Sequence, residues 1–332
     1  MRVLLAGATG AIGRELVPQL IAAGHEVIGI TRHAGALAGS GAQEIVADVL
    51  DREGFLRALD GVSADAVINQ LTALAKPPVH YRDMRQTNRL RTEGTSTLIA
   101  AARQVGAKRF VTASIFYGYG FSDRGRVLLD ESASFGSEPD KSPNDDVLRA
   151  VLSNEQQARA FGGVALRYGL FYSAHSRPSP VARRWDGALP VVHIADAAQA
   201  AVLALTKGKP GEAYNVATDE EVTYRELQDR LAALEGVRRP TEVPDGLLRA
   251  VAPFGSQLVT RASVRLSSEK ARRVLGWRPR YERLDDLLPP APARAPHVRL
   301  PSGPTREEAA ATRAAAVRIA DARAAQAREA QA

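Results

Sequence analysis

The sequence predicts an α/β fold on a doubly wound parallel sheet, and three observations carry that prediction. The apolar run Val3-Leu4-Leu5-Ala6 leads into Gly7-Ala8-Thr9-Gly10-Ala11-Ile12-Gly13, after which Leu16 and Leu20 continue from Ile12 at helical spacing. That order is strand, glycine turn, helix. Through the first half, short β-rich runs alternate with helical periods, the pattern of parallel βαβ units. The chain has 332 residues with 45% hydrophobic content, enough for one large α/β unit with a smaller second lobe.

The elements follow in order. In the first turn a glycine can take positive φ, and its missing side chain lets a phosphate approach the backbone. The helix behind it offers unpaired N–H groups and a positive dipole end to an anion. Gly24 ends that helix, and His25 to Ile30 reads as the second strand. Ala66-Val67-Ile68-Asn69 is the fourth strand. Val79 to Gln104 reads mostly as one long helix, stopped by Gly106 before a fifth strand at Arg109 to Ser114. Residues 116–143 read as a long Gly/Ser/Asp-rich loop, and Ser142 with Pro143 as the start of the next helix. A strand near Val164–Tyr168 follows. Beyond Tyr172, prolines break the chain into short helices at 194–206, 223–234 and 245–252, with a capped, arginine-rich helix from about Ser267. The expected organisation is therefore a dinucleotide-binding core over 1–171 and a substrate lobe with returning core elements over 172–288. An Ala/Pro/Arg-rich tail over 289–332, helical or disordered, completes the chain, with Thr305 to Glu308 as a possible capping box.

The Gly-x-x-Gly-x-x-Gly spacing, with several ordered landmarks, resembles the short-chain dehydrogenase/reductase superfamily. The similarity is to its extended and atypical branches, which include the NAD-dependent epimerases and dehydratases. The landmarks are Ala47-Asp48-Val49, the fourth and fifth strands, Ala165-Leu166-Arg167, Val192 to Ala197, Tyr214-Asn215-Val216 and Leu275-Gly276-Trp277-Arg278-Pro279. The resemblance spans about residues 1–287 and implies a Rossmann-type core. It also implies a cofactor set of Gly7, Thr9, Gly10, Ala11, Ile12 and Gly13 at the pyrophosphate, and Asp48 and Val49 at the adenine. Leu71, Thr72 and Ala73 after the fourth strand belong to the same set. A homodimer through the helices at about 79–104 and 144–160 is the assembly it suggests.

An NAD site usually carries an acid at the end of the second strand for the ribose 2′-OH. This chain has Thr31 and Arg32 there, with no acid until Glu44. A guanidinium complements a 2′-phosphate, so NADP is expected over NAD.

The chemical end differs from the family pattern. Active members carry a tyrosine, three residues and a lysine on the helix after the long loop, and no Tyr-x-x-x-Lys occurs in this chain. In many extended members a glutamate lies four residues beyond the lysine. Counting back from Glu155 puts Val151 at the lysine and Val147 at the tyrosine position. If that register holds, both valines face the nicotinamide; both buried in the core would contradict it. Ser114 falls at the family's serine, which bonds the reacting oxygen. Tyr117, Tyr119 and Tyr172 are the remaining phenols near the expected cleft, Ser114, Tyr117 and Tyr172 forming the candidate catalytic set. Lys108 is read as facing solvent, and His193 and Asp196 as structural at a strand-to-helix junction.

The absence of cysteine excludes disulfides and thiolate chemistry, and the six scattered histidines give no metal-ligand spacing. A net charge of +7 without an aromatic stacking platform reads as a solvated basic face, not a nucleic-acid surface. No apolar run approaches a membrane span, and a cytoplasmic location is expected. The leading reading is an NADP(H)-dependent oxidoreductase on a small carbonyl- or hydroxyl-bearing metabolite. A non-redox dehydratase, isomerase or cyclase, and an NADP(H)-sensing regulatory protein, stand beside it.

Overall fold

Strand β1 (Arg2–Ala6) sends Val3 and Leu5 into one apolar cluster and Leu4 and Ala6 into another, so both faces of the strand are buried. That two-sided burial is what a central strand of a parallel sheet requires. The computed structural model describes residues 1–74, 76–136 and 144–287. After β1 come α1 (Ala11–Ala22), β2 (Glu26–Thr31), β3 (Gln43–Val46), α2 (Arg52–Ala58) and β4 (Ala66–Asn69). A helical stretch follows as a 3-10 turn at Tyr81–Met84, α3 (Arg85–Arg89), a π turn at Leu90–Gly94 and α4 (Thr95–Gln104). Next are β5 (Arg109–Ile115), β6 (Asp123–Leu129), α5 (Asp145–Ala160), β7 (Val164–Tyr168) and β8 (Leu170–Tyr172). The remainder contains β9 (Val181–Ala182), β10 (Ala188–Leu189), β11 (Val191–His193), α6 (Ile194–Lys207) and β12 (Ala213–Val216). It continues through β13 (Val222–Thr223), α7 (Tyr224–Leu234), β14 (Glu242–Val243), α8 (Asp245–Val251), α9 (Gly255–Thr260) and β15 (Ser263–Leu266).

Seven strands form one parallel sheet in the order β12-β7-β5-β4-β1-β2-β3. The strand order reverses at β1, which pairs with β2 on one side and β4 on the other. Such a switch point opens a crevice at the carboxyl ends of the strands, where ligands bind in open α/β sheets. Residues of α1 and α6 cover one face; α2 and α4 cover the other. A third cluster joins the first half of α5 to Phe116, Tyr117, Tyr119 and Phe121 after β5, and to Phe254, Val264 and Leu266 from late in the chain.

One expectation is corrected. The segment after β5 is not all loop: Phe116–Tyr119 makes a 3-10 turn and β6 pairs in parallel with β15. The expected long helix is present as one continuous helical stretch from Tyr81 to Gln104 with the π turn inside it, and the arginine-rich helix near Ser267 begins at Glu269 and runs through a π turn at Ala271–Leu275 that Gly276 ends at φ 70°. Ser142, Pro143 and the 289–332 tail, including Thr305 to Glu308, lie outside the described residues. No helix among the described residues is long and apolar enough to cross a membrane.

Candidate cofactor and active site

Each glycine of the first turn has its own physical reason. Gly7 has φ 91°, and a Cβ there would stand 2.7 Å from the Gln70 carbonyl oxygen on the neighbouring strand end. At Gly13 a Cβ would meet the carbonyl oxygens of Gly7 and Ala8 at 2.1 and 2.5 Å, so only glycine lets α1 lie this close to the turn. Gly10 is different. It is exposed, and its nearest obstacle is the Gly7 oxygen at 3.3 Å. The first helical bond runs from Arg14 N–H to Gly10, and no side chain caps the N–H groups of Ala11, Ile12 and Gly13 ahead of it. Thr9, Gly10 and Ala11 are exposed beside them, while Ile12 is buried. A helix of 12 residues with bare amides and no acid in its first turn fits an anionic pyrophosphate.

The outer end of the crevice is open in the same sense. Arg32 is exposed at the end of β2. Glu44, the first acid beyond it, is committed to the loop, where it accepts the N–H groups of Gly35 and Leu37 at 2.6 and 3.0 Å. Asp48 is exposed and takes the Leu50 N–H at 2.9 Å; Val49 beside it is buried. After β4, Leu71 donates its N–H to Asn69 and Ala73 to Thr87, which fixes the segment containing exposed Thr72. The residues present fit a dinucleotide laid from Arg32 across the α1 N-terminus.

The three candidate catalytic residues fall into three separate hydrogen-bond groups. Ser114 is buried and gives its hydroxyl to Glu155 at 2.5 Å. Glu155 in turn holds Arg167 through both carboxylate oxygens, the shortest contact being 2.8 Å. Arg167 continues to the Tyr119 hydroxyl at 2.9 Å, and Tyr119 donates to Asn215 at 2.8 Å. Burial pushes the Tyr119 phenol up to about 12, although Arg167 opposes the shift. Burial also weighs against charge on Arg167, and Glu155 more than offsets it, so the guanidinium is held above its ordinary range. Tyr117 belongs to a second group: its oxygen accepts from Arg91 Nη2 at 2.7 Å. Tyr172 belongs to a third, away from an open cleft mouth. It is fully buried with Val191, Leu227 and Leu284, and its hydroxyl reaches the Tyr281 carbonyl at 3.4 Å. Burial raises its pKa, with Asp196 adding to the effect.

Val147 and Val151 are 2% and 0% exposed and pack with Met84, Phe116, Tyr117 and Leu189. The expectation that they face a cofactor cavity is therefore not met: both are core residues, and the register counted back from Glu155 is contradicted. Lys108 is exposed. His193 caps α6 by accepting the Ala195 N–H at 3.2 Å, and Asp196 accepts the N–H groups of Arg280 and Tyr281 at 2.8 and 2.9 Å. Both are structural, as expected.

Sequence reasoning missed Arg91. Met84, Thr87, Arg91, Thr95 and Leu98 recur at three- and four-residue steps and all are buried, so the helical period contained the signal. It also missed Gln70, which donates to the Tyr168 hydroxyl at 3.2 Å while its own buried Oε1 has no partner.

An α1 N-terminus at the switch point of a parallel sheet, with Arg32 exposed at the end of β2, is the arrangement in which α/β folds bind dinucleotides. The NAD dependent epimerase/dehydratase family model matches residues 3–186, and the chain belongs to that family. A 3-diazoavenalumate denitrifying reductase from a Streptomyces species is 34% identical over 87% of this chain and 99% of its own. A 4-hydroxy-2-methyl-3-oxo-4-farnesyl-3,4-dihydroquinoline-1-oxide ketoreductase from Stigmatella aurantiaca is 26% identical over 88% of this chain and 97% of its own. Among solved structures, the UDP-glucose 4-epimerase of Thermus thermophilus in complex with NAD superposes with a TM-score of 0.70 at 23% identity, covering 86% of this chain and 96% of that one. The protein is an enzyme of oxidoreductase or epimerase type that uses a nicotinamide cofactor.

Proposed function

We propose that this enzyme is an NADPH-dependent reductase of a small electrophile that needs no proton from the protein, a diazo compound being the substrate class. One observation carries the reading: the cofactor end of the site is intact while the chain contains no Tyr-x-x-x-Lys. Bound NADPH supplies hydride. Reduction of a ketone also needs a proton for the oxygen, which in this family comes from the dyad. An aryl diazonium does not. When hydride replaces the diazo group, the carbon–nitrogen bond breaks, N2 leaves and a carbon–hydrogen bond forms, with charge balanced. The name of the 34% identical relative, a denitrifying reductase of a diazo compound, supports the same class.

In this reading Gly7 to Gly13 hold the pyrophosphate and Arg32 the 2′-phosphate. Asp48 and Val49 flank the adenine, and Leu71 to Ala73 border the path to the nicotinamide. Of the three candidate catalytic residues, Tyr117 is the one whose polar surroundings still lack a partner, whereas Ser114 and Tyr172 serve the fold. The expected carbonyl substrates form the control. NADPH oxidation is followed with a hydroxybenzoate diazonium salt and, separately, with aromatic aldehydes and ketones. Oxidation with the diazonium alone is the expected result; oxidation with the carbonyl compounds alone overturns the reading.

A further inference from the structure

Arg91 is 8% exposed and lies in the π turn Leu90–Gly94. Turns of this kind are frequent at functional sites. Its Nη2 donates to Tyr117, its guanidinium lies 5.4 Å from the centre of that ring, and its Nη1 is buried with no acceptor. Among the described residues no carboxylate lies within ion-pair distance of it. A buried charge without a counter-charge is expensive. Because Tyr117 accepts from Arg91, the phenol's own proton remains available as a second donor. The surroundings are aromatic: Tyr117 stacks on Phe121 at 5.3 Å, Phe121 meets Phe254 edge-on at 5.9 Å, and Phe254 meets Tyr81 at 5.5 Å. Leu74 and Tyr81, both partly buried, border the cluster.

We infer that Arg91 and Tyr117 recognise the carboxylate of a small arenecarboxylate substrate, whose ring packs among these aromatic side chains. A carboxylate matches the planar guanidinium and carries the single charge that one arginine neutralises, whereas a phosphate dianion would retain excess charge. This inference deepens the reductase reading and rests on it. Its test reads equilibrium binding, so its failure leaves hydride transfer standing, and a failed turnover assay leaves the carboxylate site standing.

The NADP+-loaded protein is titrated calorimetrically with benzoate and with benzamide. Benzoate should bind, with benzamide about tenfold weaker, since it lacks the charge. Arg91→Met should weaken benzoate about thirtyfold, leave NADP+ affinity unchanged, and leave the unliganded protein at least as heat-stable, because an unpaired buried cation is removed. Tyr117→Phe should weaken benzoate several-fold (roughly the loss of one hydrogen bond). Equal affinity for benzoate and benzamide, binding of neither, or unchanged benzoate affinity in Arg91→Met overturns the inference. Should Arg91→Met fail to fold, the wild-type comparison and Tyr117→Phe decide it.

Discussion

Glu155 on α5 and Arg167 on β7 form a bidentate ion pair with side chains 9% and 6% exposed, and Ser114 adds its hydroxyl to the same carboxylate. The cluster ties α5 to β5 and β7 from inside the protein. Removing one member of a buried pair leaves the other charged and unpartnered, so Glu155→Gln should lower stability by about 3–5 kcal/mol. Ser114→Ala removes one hydrogen bond and should cost about 1–3 kcal/mol, with cofactor affinity unchanged and turnover preserved in the folded fraction. Chemical denaturation beside an NADPH oxidation assay checks both. A Ser114→Ala protein of full stability and abolished turnover would return the serine to the chemistry.

Gly10 and Gly13 should separate binding from folding. Gly13→Ala drives a Cβ into two carbonyl oxygens and should destabilise the protein by about 1–3 kcal/mol. Gly10→Val faces the open side of the turn, so the fold should survive while the affinities for NADPH and NADH both fall. Thermal melts and fluorescence titrations of the two variants distinguish the roles.

The glycine turn was legible because its constraints are local: a tight turn, a close backbone approach and a helix start all lie within seven residues. The parallel sheet was legible for a similar reason, since β1, β4 and β5 are short apolar runs. β6 was not. Its residues are mostly exposed and it becomes a strand only by pairing with β15, so no apolar pattern announces it. The separation of Ser114, Tyr117 and Tyr172 was hidden for a related reason. Their hydroxyl partners Glu155, Arg91 and Tyr281 are supplied by other elements, at sequence separations of 41, 26 and 109 residues.

Arg32→Ala should weaken NADPH binding by about ten- to a hundredfold, the range of a charge-assisted hydrogen bond, and leave NADH nearly unaffected. Calorimetry with both cofactors on wild type and variant measures this. Equal wild-type affinities for the two would remove the basis for NADP preference.

His193 gives the fold an acid-sensitive point. Burial, with help from the Arg280 charge, lowers its pKa from 6.5 to about 4. The folded state thus keeps the imidazole neutral while the unfolded chain takes up a proton below pH 6.5. Stability from this residue is complete above the unfolded value and is lost as pH falls toward the folded one. His193→Asn, which keeps an acceptor for the α6 cap, should show a smaller drop in melting temperature between pH 7 and pH 5 than wild type. Parallel drops would contradict the assignment.

Hydride transfer without a protein-held proton dyad is tested most directly by isotope. NADPH carrying deuterium on the transferred position of nicotinamide C4 is incubated with the enzyme and an arene diazonium carboxylate in ordinary water. One deuterium is expected on the ring carbon that held nitrogen, with N2 released in equal amount. A product whose new hydrogen comes from water, or NADPH left unconsumed, would contradict it.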